Sequence, residues 1–125
     1  YTIVTKLGVT GEIATKKFFK KAKIVTFETE SDAATEVLNG KADAMVYDQP
    51  YNVLFMSDKG KDKLVHLSTP LTYEPLGWAI RKGDPDFLNW LNNFLKQSQE
   101  DKVVGFSDEL YQKWLVDTDW LQRVQ

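Results

Sequence analysis

Two places in this sequence carry residues that could do chemistry. The first is Asp48, which closes the run Ala42-Asp43-Ala44-Met45-Val46-Tyr47-Asp48-Gln49-Pro50. Met45, Val46 and Tyr47 favour a packed, pleated environment, so the run reads as a short strand. Pro50 cannot continue a ladder and suits the first turn of a helix. The carboxylate therefore stands at the carboxyl end of a strand and at the entry to a helix, the edge where open α/β sheets bind ligands. The second place is Gly8-Val9-Thr10-Gly11-Glu12, which breaks one strand and opens a helix. Its glycines allow positive φ, and Thr10 is a candidate cap. Both residues have a purely structural reading as well: Asp and Thr are common helix caps, and a cap can also bind a ligand.

Other chemistries find little support. There is no cysteine, which excludes disulfides, thiolate metal sites and cysteine nucleophiles. His66 is the single histidine and has no second ligand type at metal spacing, so it reads as structural. No nucleophile elbow accompanies it. Gly8-Val9-Thr10-Gly11 lacks the third glycine of a dinucleotide fingerprint and the Gly-Lys-Ser/Thr end of a P-loop. Asp43 and Asp48 fall on opposite faces of one strand and form no carboxylate dyad. No catalytic residue, metal or cofactor is expected.

The elements that position Asp48 and Thr10 follow from periodicity. Tyr1 to Leu7 is β-branched and aromatic, a strand. From Glu12 to Ala22 the residues Ile13, Ala14, Phe18 and Ala22 recur at helical spacing, and Lys16, Lys17, Lys20 and Lys21 form a solvated face. Ile24 to Phe27 is a second strand. Thr29 or Ser31 caps a helix over 32–38, which Asn39-Gly40 ends. The strand ending at Asp48 is the third. Residues 49–56 form a third helix with Tyr51, Leu54 and Phe55 as its apolar face, 57–63 a solvated loop, and Leu64 to Leu67 a fourth strand. This βαβαβαβ order predicts an α/β fold with a mainly parallel sheet covered on both faces and joined by right-handed connections. If strands one and three are neighbours, the Gly8–Glu12 loop and Asp48 open on the same edge.

The remainder differs in character. Pro70 to Pro75 is a proline-marked linker. Leu76, Trp78 and Ile80 alternate as another strand. Gly83-Asp84-Pro85-Asp86 starts a helix with Asp84 as cap, and Phe87, Trp90, Leu91, Phe94 and Leu95 form a broad apolar stripe to about Gln99. Gly105 interrupts. Ser107 caps a last helix carrying Leu110, Tyr111, Trp114 and Leu115, with a further turn through Trp120 and Leu121. All four tryptophans lie beyond residue 75. Such stripes need a partner surface.

Length and charge agree with these readings. The 125 residues are a common size for one domain, with 42% hydrophobic and 27% charged side chains. Sixteen basic and eighteen acidic residues give a net charge of −2, which does not favour a nucleic-acid or anionic-membrane partner. Apolar runs are too short to span a bilayer, so no membrane insertion is expected. A start inside a strand points to a processed product or a piece of a longer protein.

The pieces in order resemble a family. They are the strand with Gly-x-Thr opening a helix, Leu38-Asn39-Gly40-Lys41-Ala42-Asp43-Ala44, the strand ending in Asp48, the proline-marked linker with Pro75-Leu76-Gly77-Trp78-Ala79-Ile80-Arg81-Lys82-Gly83-Asp84-Pro85, and Asp108-Glu109-Leu110-Tyr111-Gln112-Lys113-Trp114. Together they resemble the polar-amino-acid-binding proteins of bacterial ABC importers, periplasmic solute-binding proteins of family 3 type, over nearly the whole chain. The resemblance implies the type II periplasmic-binding-protein fold, two three-layer α/β lobes with the ligand between them. Residues 1–75 would be the second lobe, and 76–125 the crossover strand and C-terminal helices of an incomplete first lobe. It implies a non-enzymatic, extracytoplasmic protein that delivers a polar amino acid to a membrane permease. Asp48 would receive the ligand's α-ammonium, and Thr10 with the N–H groups around Gly11 its α-carboxylate. The family often has Gly-Thr-Thr where this chain has Gly8-Val9-Thr10, so residue 9 can offer backbone contacts only. The family's carboxylate-clamping arginine belongs to the first lobe, and Arg81 and Arg123 do not match it. Helices without their usual partner predict a swapped or otherwise associated dimer. The alternatives are an enzyme on the same scaffold, such as a dehydratase, and the ligand-binding sensor module of a receptor.

Overall fold

The computed structural model describes residues 1–67, 69–100 and 106–117. The chain divides into two compact units, Tyr1–Tyr73 and Glu74–Gln125.

The first unit is built on a three-stranded parallel sheet of order β2-β1-β3, with β1 Thr2–Lys6, β2 Lys23–Phe27 and β3 Ala44–Met45. Thr2 pairs with Lys23 and Lys6 with Phe27, while Ile3 pairs with Ala44 and Val4 with Met45. Asp43 locks the start of this register. Its carboxylate accepts from the Thr2 N–H at 2.6 Å, and its own N–H donates to the Thr2 carbonyl at 2.9 Å. Asp43 is thus a structural residue at the amino edge, at the other end of β3 from Asp48.

Three helices accompany the sheet: α1 Thr10–Phe18, α2 Glu30–Leu38 and α3 Gln49–Ser57. The chain steps from β1 to β2 in one direction and from β2 to β3 in the other, so right-handed crossovers put α1 and α2 on opposite faces. Both helices approach through small residues. Ala14 and Thr15 of α1 and Ala33 and Ala34 of α2 are buried. On the α2 side the core is Val4, Ala33 and Ala42, with Val25, Phe27, Val37 and Met45 packed around it. The expected apolar face of α1 is corrected here: Ile13 is 70% and Phe18 50% exposed. Small side chains let the helix backbone come close to β1, and the large ones are left at the margin.

Helix boundaries follow local chemistry. α1 stops at Phe18 rather than Ala22, because the chain must turn through the Ala22 N–H to Phe19 carbonyl bond (3.0 Å) to enter β2 at Lys23. α2 begins at Glu30 with Thr29 as its cap, the Thr29 hydroxyl accepting from the Asp32 N–H at 3.1 Å. It ends in a Schellman motif. Gly40 sits at φ +71°, its N–H donates to the Val37 carbonyl at 3.0 Å, and the Lys41 N–H donates to the Glu36 carbonyl at 2.9 Å.

Two expected strands do not form. Residues 64–67 and 76–80 are irregular, with Val65 84%, Leu67 80%, Leu76 97% and Trp78 62% exposed. Alternating apolar residues make a segment able to pair. A strand forms only where a neighbouring strand pairs with its N–H and C=O groups, and among the described residues none pairs with these.

The second unit contains α4 Pro85–Glu100, α5 Phe106–Tyr111 and a π-helical turn at Gln112–Val116. Asp84 caps α4 as expected, its carboxylate accepting from the Phe87 N–H at 2.9 Å. Phe87, Trp90 and Phe94 stack along the helix with centroids 6.3 and 5.9 Å apart, and they remain 46%, 61% and 38% exposed. Gly105, Trp120 and Leu121, and the side chains of Ser107 and Leu115, lie outside the described residues.

Candidate ligand site at the carboxyl edge of the sheet

The strand order makes the site. The chain leaves β1 toward β2 on one side while β3 lies on the other, so the carboxyl ends of β1 and β3 stand side by side where the strand order reverses. Such a topological switch point, outside the carboxyl ends of the strands, is where open α/β sheets receive ligands. The two connections that border it are the Gly8-Val9 entry to α1 and the Val46–Asp48 entry to α3.

On the β1 side, Gly8 takes φ +77° and turns the chain, so that Val9 rather than Thr10 becomes the N-cap of α1. Thr10 is the first helical residue and is exposed. Val9 makes no side-chain cap bond. Glu12, in the first turn, reaches back instead: its carboxylate accepts from the Gly8 N–H at 2.7 Å and from the Lys16 ammonium. The Lys16 bond first, then the Gly8 bond, hold the Glu12 carboxyl below its usual range. The loop is therefore tied down from one side, while the amide end of the helix carries a partial positive charge at the carboxyl edge of the sheet.

On the β3 side, Asp48 occupies the N-cap position of α3 with φ −58° and ψ 135°, yet its carboxylate makes no cap hydrogen bond. The side chain is exposed. A plain structural cap would have spent the carboxylate on the helix. This one faces solvent, where a cation can reach it.

The two sides touch. A β carbon on Gly11 would lie 3.4 Å from the Val46 carbonyl oxygen and 3.4 Å from Thr5 Oγ1. The first turn of α1 thus abuts the connection that delivers Asp48, and Thr10, Gly11 and Asp48 all border one edge. Under Gly11, the Thr5 hydroxyl is buried without a hydrogen-bond partner.

A second cluster occupies the other face of the sheet at the same edge. Lys6 and Glu30 form an ion pair at 2.7 Å, each side chain about one-third exposed. Hydrogen bonding to Lys6 holds the Glu30 carboxyl down, and bonding to Glu30 raises Lys6. Tyr51, whose phenol is pushed up mainly by burial with Ser31 acting the other way, meets the Tyr47 ring edge-on at 5.4 Å. None of these residues stood out in the sequence. Lys6 and Glu30 are remote in the chain, and Tyr51 looked like one member of an apolar stripe. Asn52, whose side-chain amide donates to the Tyr47 carbonyl at 2.9 Å, did not stand out either, although its place four residues after Asp48 on a helix start was a readable signal.

Among the described residues no group of three or more His, Asp or Glu side chains could hold a metal ion, and no helix is long and apolar enough to cross a membrane. His66 is half-buried in the irregular segment 64–67.

Comparison with known proteins gives a consistent picture. No family model matches the chain. It is 31% identical over 113 residues to the ABC transporter glutamine-binding protein GlnH of Bacillus subtilis (strain 168), covering 87% of this chain and 39% of that protein. Among solved structures it is 61% identical to a binding component of an ABC transporter from Wolinella succinogenes DSM 1740 complexed with lysine, with a TM-score of 0.74 over 97% of this chain and 51% of that one. It is 46% identical to an ancestral amino-acid-binding protein described as a precursor of cyclohexadienyl dehydratase, with a TM-score of 0.58 over 91% and 46% of the two chains. The chain is thus homologous to amino-acid-binding components of ABC transporters and spans 39% to 51% of their length. Its α/β fold is shared with theirs.

Proposed function

We propose that this chain supplies one wall of an amino-acid-binding cleft in the extracytoplasmic solute-binding component of an ABC importer. The observation that carries the reading is the meeting of two complementary groups at one switch-point edge. The amide end of α1 around Thr10 and Gly11 suits a carboxylate, and the uncapped Asp48 carboxylate suits an ammonium. An α-amino acid presents that pair on one carbon. The homologue complexed with lysine makes lysine the first ligand to try.

In this reading residues 1–75 are the second lobe, and residues 76–125 belong to the other lobe as its crossover and helices. The rest of the cleft comes from the part of such proteins that this chain does not span. Ligand bridging the two walls stabilises a closed state, which the membrane permease recognises. The protein works outside the cytoplasm as a binding protein, without turnover. The homologue described as a dehydratase precursor makes a turnover assay with cyclohexadienyl substrates the check on that last point. The exposed ring stack of α4 supports association with a second copy, and a monodisperse monomer by light scattering overturns it.

Asp48→Ala tests the site. Titration of the chain with L-lysine, followed through backbone amide resonances, is expected to shift residues 8–12 and 48, and the variant is expected to lose that binding, because a cleft ammonium left without its counter-charge is costly. Unchanged affinity in Asp48→Ala sinks the assignment.

A further inference from the structure

Asp48 does not sit on a strand. β3 ends at Met45, and the carboxylate hangs from the connector Val46–Asp48. A charged group on an irregular segment binds well only if something holds it in direction, since small errors in placement cost much of the interaction.

One residue makes two bonds to this connector. The Asn52 side-chain amide donates to the Tyr47 carbonyl at 2.9 Å, and the Asn52 backbone N–H donates to the Asp48 carbonyl at 3.1 Å. The carbonyls on both sides of the Asp48 Cα are thereby tied to the first turn of α3. The Tyr47 and Tyr51 rings, edge to face at 5.4 Å and 87°, pack this segment against the first turn of α3. The backbone bond from Asn52 is an ordinary helical one. The side-chain bond is not: it reaches back five residues, past the start of the helix, to the peptide that sets the direction of the Asp48 side chain.

We propose that Asn52 is a positioning residue that aims the Asp48 carboxylate at the ligand's α-ammonium, a role that rests on the assignment of Asp48 above. Without the Asn52 amide the Tyr47-Asp48 peptide can rotate, and the carboxylate swings with it. The Asn52 amide is engaged by the Tyr47 carbonyl, so its effect falls on the part of the ligand that Asp48 reads.

The test compares two probes, L-lysine and 6-aminohexanoate, which keeps the carboxylate and the terminal ammonium but lacks the α-ammonium. Affinities for both are read by amide NMR titration of the 125-residue chain and its variants. Asn52→Ala is expected to lower the ratio of lysine to 6-aminohexanoate affinity about tenfold, the effect of one lost hydrogen bond. Asn52→Leu, branched at Cγ like asparagine and a good helix former, is expected to do the same if Asn52→Ala folds poorly. An unchanged ratio in the folded variant overturns the positioning role, as does an equal loss for both probes. Asp48→Ala serves as the reference: if it too leaves the ratio unchanged, the reading of Asp48 fails and the role of Asn52 falls with it. A reduced ratio in Asp48→Ala alone removes only the role of Asn52.

Discussion

Gly11 stands beside the Val46 connector with little room to spare: a β carbon on Gly11 would lie 3.4 Å from the Val46 carbonyl oxygen. The glycine lets the amide end of α1 come up against the connector that carries Asp48, and the spacing of the candidate site depends on it. At that separation a methyl group makes an ordinary contact. Gly11→Ala is expected to keep stability within about 0.5 kcal/mol, a small gain in helix propensity offsetting the tight fit. Gly11→Val adds branches that must displace α1 or β3, and it is expected to cost about 1–3 kcal/mol. Urea denaturation of both variants measures the difference, and equal stabilities would refute the close approach.

Beneath the same glycine, Thr5 is fully buried and its hydroxyl lacks a hydrogen-bond partner. Replacing an unsatisfied buried hydroxyl by a methyl of the same shape removes a desolvation cost. Thr5→Val is expected to stabilise the fold by about 1 kcal/mol. A fall in the urea midpoint for Thr5→Val would mean that the hydroxyl has a partner in solution.

The carboxylates that brace the site make stability depend on acid. Glu12 and Glu30 are both held below the usual value of 4.5, Glu12 by Lys16 and Gly8, and Glu30 by Lys6. A depressed folded pKa contributes stability that is present above the unfolded value and is lost as pH falls through the folded one. The urea midpoint is therefore expected to drop as pH falls below about 4.5, and to drop less in Glu12→Gln with Glu30→Gln. Lys6, raised above 10.5, has the opposite sign: its contribution is complete below that value and is lost at higher pH. These side chains reach solvent, so added salt should blunt the effects.

Local chemistry was legible in the residues themselves. Gly40 after Asn39, Asp84 before Pro85, and Asp48 before Gln49-Pro50 each mark a helix boundary, because the preferences involved act within a few residues. The alternation of short strands with helices likewise announced a parallel α/β sheet. The motif order from the Gly-x-Thr turn to the Asp108–Trp114 segment pointed to the amino-acid-binding proteins with which the chain proves homologous.

Contacts between distant segments were decided only in three dimensions. Whether β1 and β3 are neighbours depends on which edge β3 chooses, and that choice alone brings Gly11 beside Val46. Leu64 to Leu67 and Leu76 to Ile80 have the residues of strands, yet among the described residues no strand pairs with them, because a strand is a property of a pair. Thr10 lost its cap position to Val9 when Gly8 turned early and Glu12 reached back to hold it. The Asp48 carboxylate stayed off its own helix, while Asn52 took hold of the neighbouring peptide. Residue type sets what each group can do. Only the tertiary structure sets which other groups lie within the few ångströms where hydrogen bonds and packing operate.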